Sequence, residues 1–315
     1  MTRAEDIDQG KVYDKLLGRL SARYRTPEDT EDGLKRLRRD VFKYGLPQGD
    51  LREPLRPWIW KVFLRVDPVD KAYKNEYCGY VQRGPSPVSS KIKNDTFRTL
   101  ATDSQFKDRV TEDMIIRLLE AFVWKNSDTG GDQAMPFSYV QGMNVLAAPF
   151  LYVMPSQIEA FACFAIFIER HCPLYVQPTM TGVHRGLALL DRCLEYADAE
   201  LYFDLRSKNL TAELYAFPSV LTLCACTPPL NQVLKLWDFL LAYGVHLNIL
   251  AVVAQAHMIR EDLLASPSPM KILRQFPPFD AATVITIVKA MAVALPADLY
   301  QELACHPTGQ IPPLR

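Results

Sequence analysis

The sequence predicts an all-α protein, and three observations carry that reading. Apolar residues in nearly every periodic segment recur at spacings of three and four, the pattern of a helix with one buried face. Helix-starting residues (Ser, Thr, Asp, Pro) and helix-stopping glycines punctuate those segments where the periodicity begins and ends. No stretch shows the alternation of a strand ladder, and no internal repeat stands out. With 315 residues, 49% of them hydrophobic, the chain can bury one large core or two subdomains sharing an interface.

The elements follow in order. Tyr13, Leu16, Leu17, Leu20 and Tyr24 form a first apolar stripe. Thr26-Pro27-Glu28-Asp29 then supplies a capping hydroxyl, a proline at the first helical position and first-turn carboxylates. Leu34, Leu37, Val41 and Tyr44 make the stripe behind it, Gly45 stops it, and Lys35, Arg36, Arg38 and Arg39 are expected on the solvated face. Leu55-Arg56-Pro57-Trp58-Ile59-Trp60-Lys61 joins a proline turn to two tryptophans that cannot both face inward on a helix. One is expected to pack and the other to sit at a groove or interface.

Residues 83–90 read as a loop, residues from Thr111 as a helix bearing Ile115, Leu118, Leu119 and Phe122, and 126–136 as a flexible loop. The stretch between Asp132 and Glu159 lacks charge, but its apolar part from Met143 to Met154 is too short for a membrane span. A buried helix ending in a proline-marked turn is expected there. Further helices are predicted near 157–171, 183–203, 211–226, from Pro228-Pro229 to Gly244, 246–264 and 281–293. A tail follows from His306.

Composition narrows the function. Lys plus Arg and Asp plus Glu both number 36, so the net charge is zero, unlike a free-standing nucleic-acid binder. Residues 1–130 carry 25 basic against 21 acidic residues, and 131–315 carry 11 against 15. The first part is therefore the more solvated and mildly cationic. Seven cysteines, mostly in apolar stretches and without a preceding secretion signal, read as reduced thiols of a soluble cytoplasmic protein. Cys224-Ala-Cys226 has the wrong spacing for zinc, and the five histidines show no ligand spacing. A phosphate-binding P-loop and nucleophile signatures are likewise missing.

Two segments carry the candidate chemistry. In Ile92-Lys-Asn-Asp95-Thr-Phe-Arg98-Thr99 a helical turn sets Asp95 beside Arg98, so the carboxylate can brace a guanidinium that reaches for an anion. A plain surface ion pair is the alternative. In Tyr139-Val-Gln141-Gly142-Met-Asn144 a carboxamide can donate to one group and accept from water, beside a glycine that admits a close backbone. A capped helix start, with Gln and Asn satisfying free amides, is the plainer reading of this segment alone. An arginine and a glutamine are what an incomplete phosphoanhydride-hydrolysing site lacks.

Ile92-x-x-Asp95-x-x-Arg98 and Tyr139-x-Gln141-Gly142-Met143 resemble the two fingerprints of the TBC domain, the GTPase-activating domain of Rab-type GTPases. Leu55-Arg56-x-x-Ile59-Trp60 and Lys235-Leu236-Trp237-Asp238 with Gly244 resemble its outer motifs, so the likeness spans about residues 34–300. Lys91-Ile-Lys-Asn-Asp-Thr and Leu273-Arg-Gln-Phe-Pro are similar to the small fungal spindle-position checkpoint members that restrain mitotic exit or septation.

The resemblance implies a V-shaped all-α domain over 34–305, with a catalytic half at about 34–180 and a second half at about 181–305. An N-terminal helical extension (1–33) and a tail (306–315) flank it. It implies that Arg98 and Gln141 act as fingers, supported by Ile92, Asp95, Thr99, Tyr139, Gly142, Asn144, Arg56 and Trp60 at the GTPase-binding face.

The implied partners are a small Ras/Rab-like GTPase (Tem- or Spg-type), which brings the GTP and magnesium, and a larger scaffold subunit. The chain would hold no cofactor or metal of its own, would not insert into a membrane, and would work at the cytoplasmic face of the spindle pole body. Ala216-Phe217-Pro218 stands where many members carry tryptophan, which bears on packing and partner choice. A non-catalytic helical adaptor that docks the GTPase and scaffold is the competing reading.

Overall fold

A computed structural model describes residues 27–46, 55–66, 71–129, 139–274 and 276–310. The stripe at 13–24, the capping Thr26, the 130–136 part of the expected loop and the last five residues of the tail lie outside the described residues. Every regular element among the described residues is a helix.

The first helices are α1 (Pro27–Tyr44), α2 (Leu55–Leu64), α3 (Lys71–Gln82), α4 (Ser89–Thr96), α5 (Ser104–Arg109), α6 (Glu112–Thr129), α7 (Met143–Val153) and α8 (Gln157–His171). The second group comprises α9 (Thr181–Ala197), α10 (Ala199–Ser207), α11 (Ala212–Tyr215), α12 (Phe217–Leu221), α13 (Leu230–Tyr243), α14 (Asn248–Met258), α15 (Arg260–Ala265), α16 (Met270–Leu273), α17 (Ala281–Ala294) and α18 (Ala297–Cys305).

Helix α1 begins at the predicted proline and ends at Gly45, whose amide donates to the Val41 carbonyl at 2.9 Å with φ at +69°. Two side chains depart from expectation. Arg38 is buried rather than solvated, because it follows Leu34 by four and precedes Val41 by three, on the core face. Tyr44, at the end of the stripe, is half exposed.

The helix from 111 runs through Thr129, so residues 126–129 are its last turn and not a loop. The expected helix at 183–203 is two, because Asp198 leaves helical geometry and its carboxylate caps α10 by accepting from the Leu201 amide at 3.1 Å. Similarly, 211–226 holds two short helices followed by left-handed Leu223 and Cys224, and 246–264 is divided at Ile259. Helices α5 and α16 are too short to show a periodic stripe, whereas the stripes of α3 (Tyr73, Tyr77, Tyr80, Val81) and α18 (Leu299, Leu303) were not singled out.

The uncharged stretch forms α7, whose residues are nearly all buried and which ends before Pro155. No described helix is long and apolar enough to cross a membrane.

Helix α13 joins the two groups, packing on α1 and α2 of the first and on α17 of the second. Its Trp237 stacks on Trp60 at 5.9 Å and on Phe167 at 5.4 Å, and meets Phe150 edge-on at 5.5 Å. Such ring clusters bury large apolar area and add directional contacts. The Trp237 indole N–H reaches the Leu223 carbonyl at 3.0 Å, so its one polar atom is satisfied.

Candidate functional site

Helix α4 is short, and its spacing sorts its side chains by face. Ile92, Asp95, Thr96 and Thr99 recur at steps of three and four, and all are buried. Lys91, Lys93, Asn94, Phe97 and Arg98 occupy the other side and are exposed. Ile92, at 0% exposure, is an anchor in the core rather than part of a binding face, which corrects its expected placement.

Asp95 is the centre of the site. Its Oδ1 accepts from an Arg98 Nη at 2.5 Å, and its Oδ2 accepts from the Tyr139 hydroxyl at 3.0 Å. Its backbone carbonyl accepts from Asn144 Nδ2 at 3.2 Å, and that amide also donates to Thr99 Oγ at 2.8 Å. Asn144 then turns its Oδ1 to the Gly142 amide at 3.2 Å. Bonds thus run from the arginine turn to residues on both sides of Gln141, which is exposed at the surface. The two bonds to the Asp95 carboxylate are charge-assisted and so the strong ones, and the neutral bonds of Asn144 extend the network to the far side of Gln141. Burial, with the bond to Asp95 adding to it, pushes the Tyr139 phenol well above its usual pKa, so it stays a proton donor to the carboxylate.

The supporting residues therefore act from beneath. Tyr139, Asn144 and Thr99 are buried and hold the surface groups in place. Gly142 starts α7 with φ at +104°, and a Cβ there would lie 2.7 Å from Leu221 Cδ2. The close neighbour that this glycine admits is a side chain of α12, not a partner's backbone. Asn144 satisfies the Gly142 amide at the helix start, while Gln141 is exposed.

Arg56 and Trp60 lie elsewhere. Four residues apart on α2, they face α13, where Arg56 donates to Asp238 at 2.9 and 3.0 Å and the Trp60 indole donates to the same carboxylate at 2.7 Å. Trp60 is fully buried, so its expected place at a binding face is corrected to a core joint. Trp58 is the tryptophan left partly exposed, with the Lys61 ammonium 4.6 Å from its ring centroid. Burial raises the Asp238 pKa, against the opposing pull of Arg56 and the bonds from Arg56 and Trp60. Spacing could not reveal this pair, whose members are 182 positions apart. Phe97, 67% exposed beside Arg98, is a further surface group that spacing did not single out.

The arrangement offers a braced, exposed cation and an exposed carboxamide on one rigid support. Among the described residues no group of three or more His, Cys, Asp or Glu is placed to hold a metal ion.

Comparison with known proteins shows the family and the fold. A family model described as the Rab-GTPase-TBC domain matches residues 53–264. "Cell division control protein 16" of Schizosaccharomyces pombe is 47% identical over 286 residues, covering 90% of this chain and 91% of that protein. "Mitotic check point protein BUB2" of Saccharomyces cerevisiae is 39% identical over 283 residues, covering 87% and 92%. The crystal structure of the Ypt/Rab-GAP domain of Gyp1p has the same fold, with a TM-score of 0.74 at 16% identity over 92% of this chain and 98% of that one.

Proposed function

Because the chain belongs to the Rab-GTPase-TBC domain family, we propose that it activates a small Ras/Rab-type GTPase by lending Arg98 and Gln141 to the partner's nucleotide site. The observation that carries this reading is the double use of Asp95. One carboxylate braces the Arg98 guanidinium and anchors Tyr139, two residues before Gln141. The guanidinium neutralises charge that develops on the transferring phosphoryl group, and its planar fork can meet two oxygens at once. The Gln141 amide donates to the phosphoryl side and accepts from the attacking water, which it holds in line. The nucleotide and its magnesium belong to the partner. No covalent intermediate on this chain is required.

The relatives named for cell division control and a mitotic check point support a role in restraining mitotic exit or septation. In this proposal a larger scaffold subunit brings the GTPase into register at the cytoplasmic face of the spindle pole body.

Single-turnover GTP hydrolysis by the partner tests the reading, with and without the scaffold. Arg98→Ala is expected to lower the stimulated rate by about 10³–10⁵, and Gln141→Ala by about 10²–10³. Equal stimulation by wild type and both variants would remove the finger assignment, and no stimulation by wild type with the scaffold present would leave only the adaptor reading.

A further inference from the structure

The joint around α13 borders a cleft that the proposed reaction does not use. It lies where the last turn of α1 meets α13 and α17, and its volume is about 420 Å³, within the range of ligand-binding clefts. Phe42, Tyr44 and Phe239 give it aromatic walls, and Phe42 and Tyr44 are among the large apolar side chains left exposed. Phe42 leans on Tyr243 at 4.8 Å and Phe239 at 6.2 Å, so the wall is a continuous ring surface.

Three lysines, Lys43, Lys235 and Lys289, line the same cleft. Among the described residues the only carboxylate lining it is Asp238, which is already bonded to Arg56 and Trp60. Lys289 lies 4.0 Å over the Phe42 ring and donates one of its three N–H bonds to the Phe42 carbonyl. Burial holds its pKa below the usual lysine value, so an anion brought to it would recover lost charge stabilisation. Lys43 rests 4.9 Å from the Tyr44 centroid. The cations come from three helices and two rest on rings of their own.

That spacing separates two kinds of anion. A free phosphate needs donors that converge, usually backbone amides of a helix start or nest. Here α1 contributes its carboxyl end, and the start of α17 that also lines the cleft has its Ala281 and Ala282 amides already bonded to the Gln232 and Asp280 side chains. Complementary chemistry is a row of separated carboxylates with an apolar side chain between them.

We propose that this cleft docks an acidic segment of another protein, a short stretch in which Asp or Glu side chains flank a large apolar one. The proposal is independent of whether the chain stimulates GTP hydrolysis.

Random 12-residue peptides displayed on phage and selected on the full chain provide the test, with counter-selection on the Lys235→Glu/Lys289→Glu double variant. Enriched peptides should place carboxylates around a Phe, Trp or Leu. Their synthetic forms should lose roughly tenfold or more in affinity on the double variant, and weaken as salt rises. Because Lys289 touches the α1 backbone, Ala282→Glu serves as a second variant. Its small, exposed side chain should lose no contact, so it should block the peptides with an unchanged melting temperature.

Enrichment without acidic residues, or equal binding to all variants, overturns the proposal. So does full displacement by millimolar inorganic phosphate, which would make this a small-anion site. A dimer dispersed by these substitutions would assign the cleft to a second copy. A carbodiimide cross-link from Lys235 or Lys289 to a carboxylate within residues 1–26 would assign it to the chain itself. Either result replaces the external partner.

Discussion

Asp95 and Asp238 are built from the same parts and do opposite work. Each carboxylate accepts from an arginine and from an aromatic donor, Arg98 and Tyr139 in one case, Arg56 and Trp60 in the other. The first arginine is three residues away, and its side chain stays 54% exposed. The second is 182 residues away, and the Asp238 side chain it meets is 4% exposed. The local pair holds one Nη of its arginine and leaves the side chain half exposed, so the rest of the guanidinium remains at the surface for a ligand. A distant pair ties α2 to α13, and its charge is spent on the fold. The chemistry of the three groups is shared; their separation along the chain decides whether the cation is presented or consumed.

Two arginine truncations would break this comparison if it is wrong. Arg98→Ala should carry the largest effect on rate, the loss of about 10³–10⁵ in stimulated hydrolysis. Stability should fall only modestly, by about 1–2 kcal/mol, because the guanidinium is half exposed and the buried Asp95 carboxylate keeps its Tyr139 donor. Arg56→Ala should do the reverse, costing about 3–5 kcal/mol by leaving the buried Asp238 charge unpaired. The rate per folded molecule should remain within a few fold of wild type. Urea unfolding and single-turnover assays on both variants read the two quantities separately. A variant that lost both in equal measure would show that the sites are not distinct.

How much of this was legible beforehand follows from the same distinction. The face of α4 could be read because Ile92, Asp95 and Thr99 lie within two turns, and helical spacing fixes which of them share a side. Gly45 and Gly244 were read as stops, and both end their helices. The Asp238 joint was invisible, since nothing local links Arg56 to a carboxylate in the other half. Its absence from the reading sent Trp60 to a binding face. Arg38 failed for a gentler reason: an arginine three residues from Val41 and four from Leu34 belongs on the core side, whatever its charge suggests. Gly142 was singled out correctly, but its close neighbour, Leu221, is 79 positions on and unreadable from spacing.

A neutral buried pair sharpens the contrast with the two charged ones. His306 Nδ1 faces the Leu303 carbonyl at 2.6 Å, so it must donate, and Nε2 is left to accept from the Tyr175 hydroxyl at 2.9 Å. Burial lowers the imidazole pKa from 6.5 to about 4. Below pH 6.5 the unfolded chain takes up a proton that the folded chain refuses until near pH 4. Stability should therefore be full above pH 7 and fall between about 6.5 and 4, by up to about 3 kcal/mol. Urea midpoints across that window, compared with His306→Gln, isolate this group from the carboxylates. Parallel curves for the two proteins would mean that His306 titrates normally in the fold.

Gly142→Ala is expected to cost about 1–3 kcal/mol, from strain at φ +104° and from the approach to Leu221. Adding Leu221→Ala should relieve the collision but not the backbone, so only part of the loss relative to Leu221→Ala alone should return. Complete recovery would show that the side-chain contact is the whole effect. Because Gln141 is the preceding residue, the single variant should also lower stimulated hydrolysis, and the double variant should regain rate and stability together.

Tyr139→Phe asks whether Asp95 needs its aromatic partner, and its effect should be the smallest. Removing the hydroxyl leaves Asp95 Oδ2 without that donor while Arg98 keeps its own bond at 2.5 Å. The expected cost is about 1–2 kcal/mol in stability and about tenfold in stimulated rate, because a carboxylate held less firmly lets the guanidinium wander. The loss should fall on the chemical step and leave the apparent affinity for the GTPase unchanged, since the phenol is buried beneath the surface groups. Combining it with Arg98→Ala sharpens the result: once the arginine is gone, deleting the hydroxyl should have little further effect on rate, though it still lowers stability. Full additivity on the rate would mean that Tyr139 works through Gln141 rather than through the arginine, and the carboxylate would then serve the two exposed groups independently.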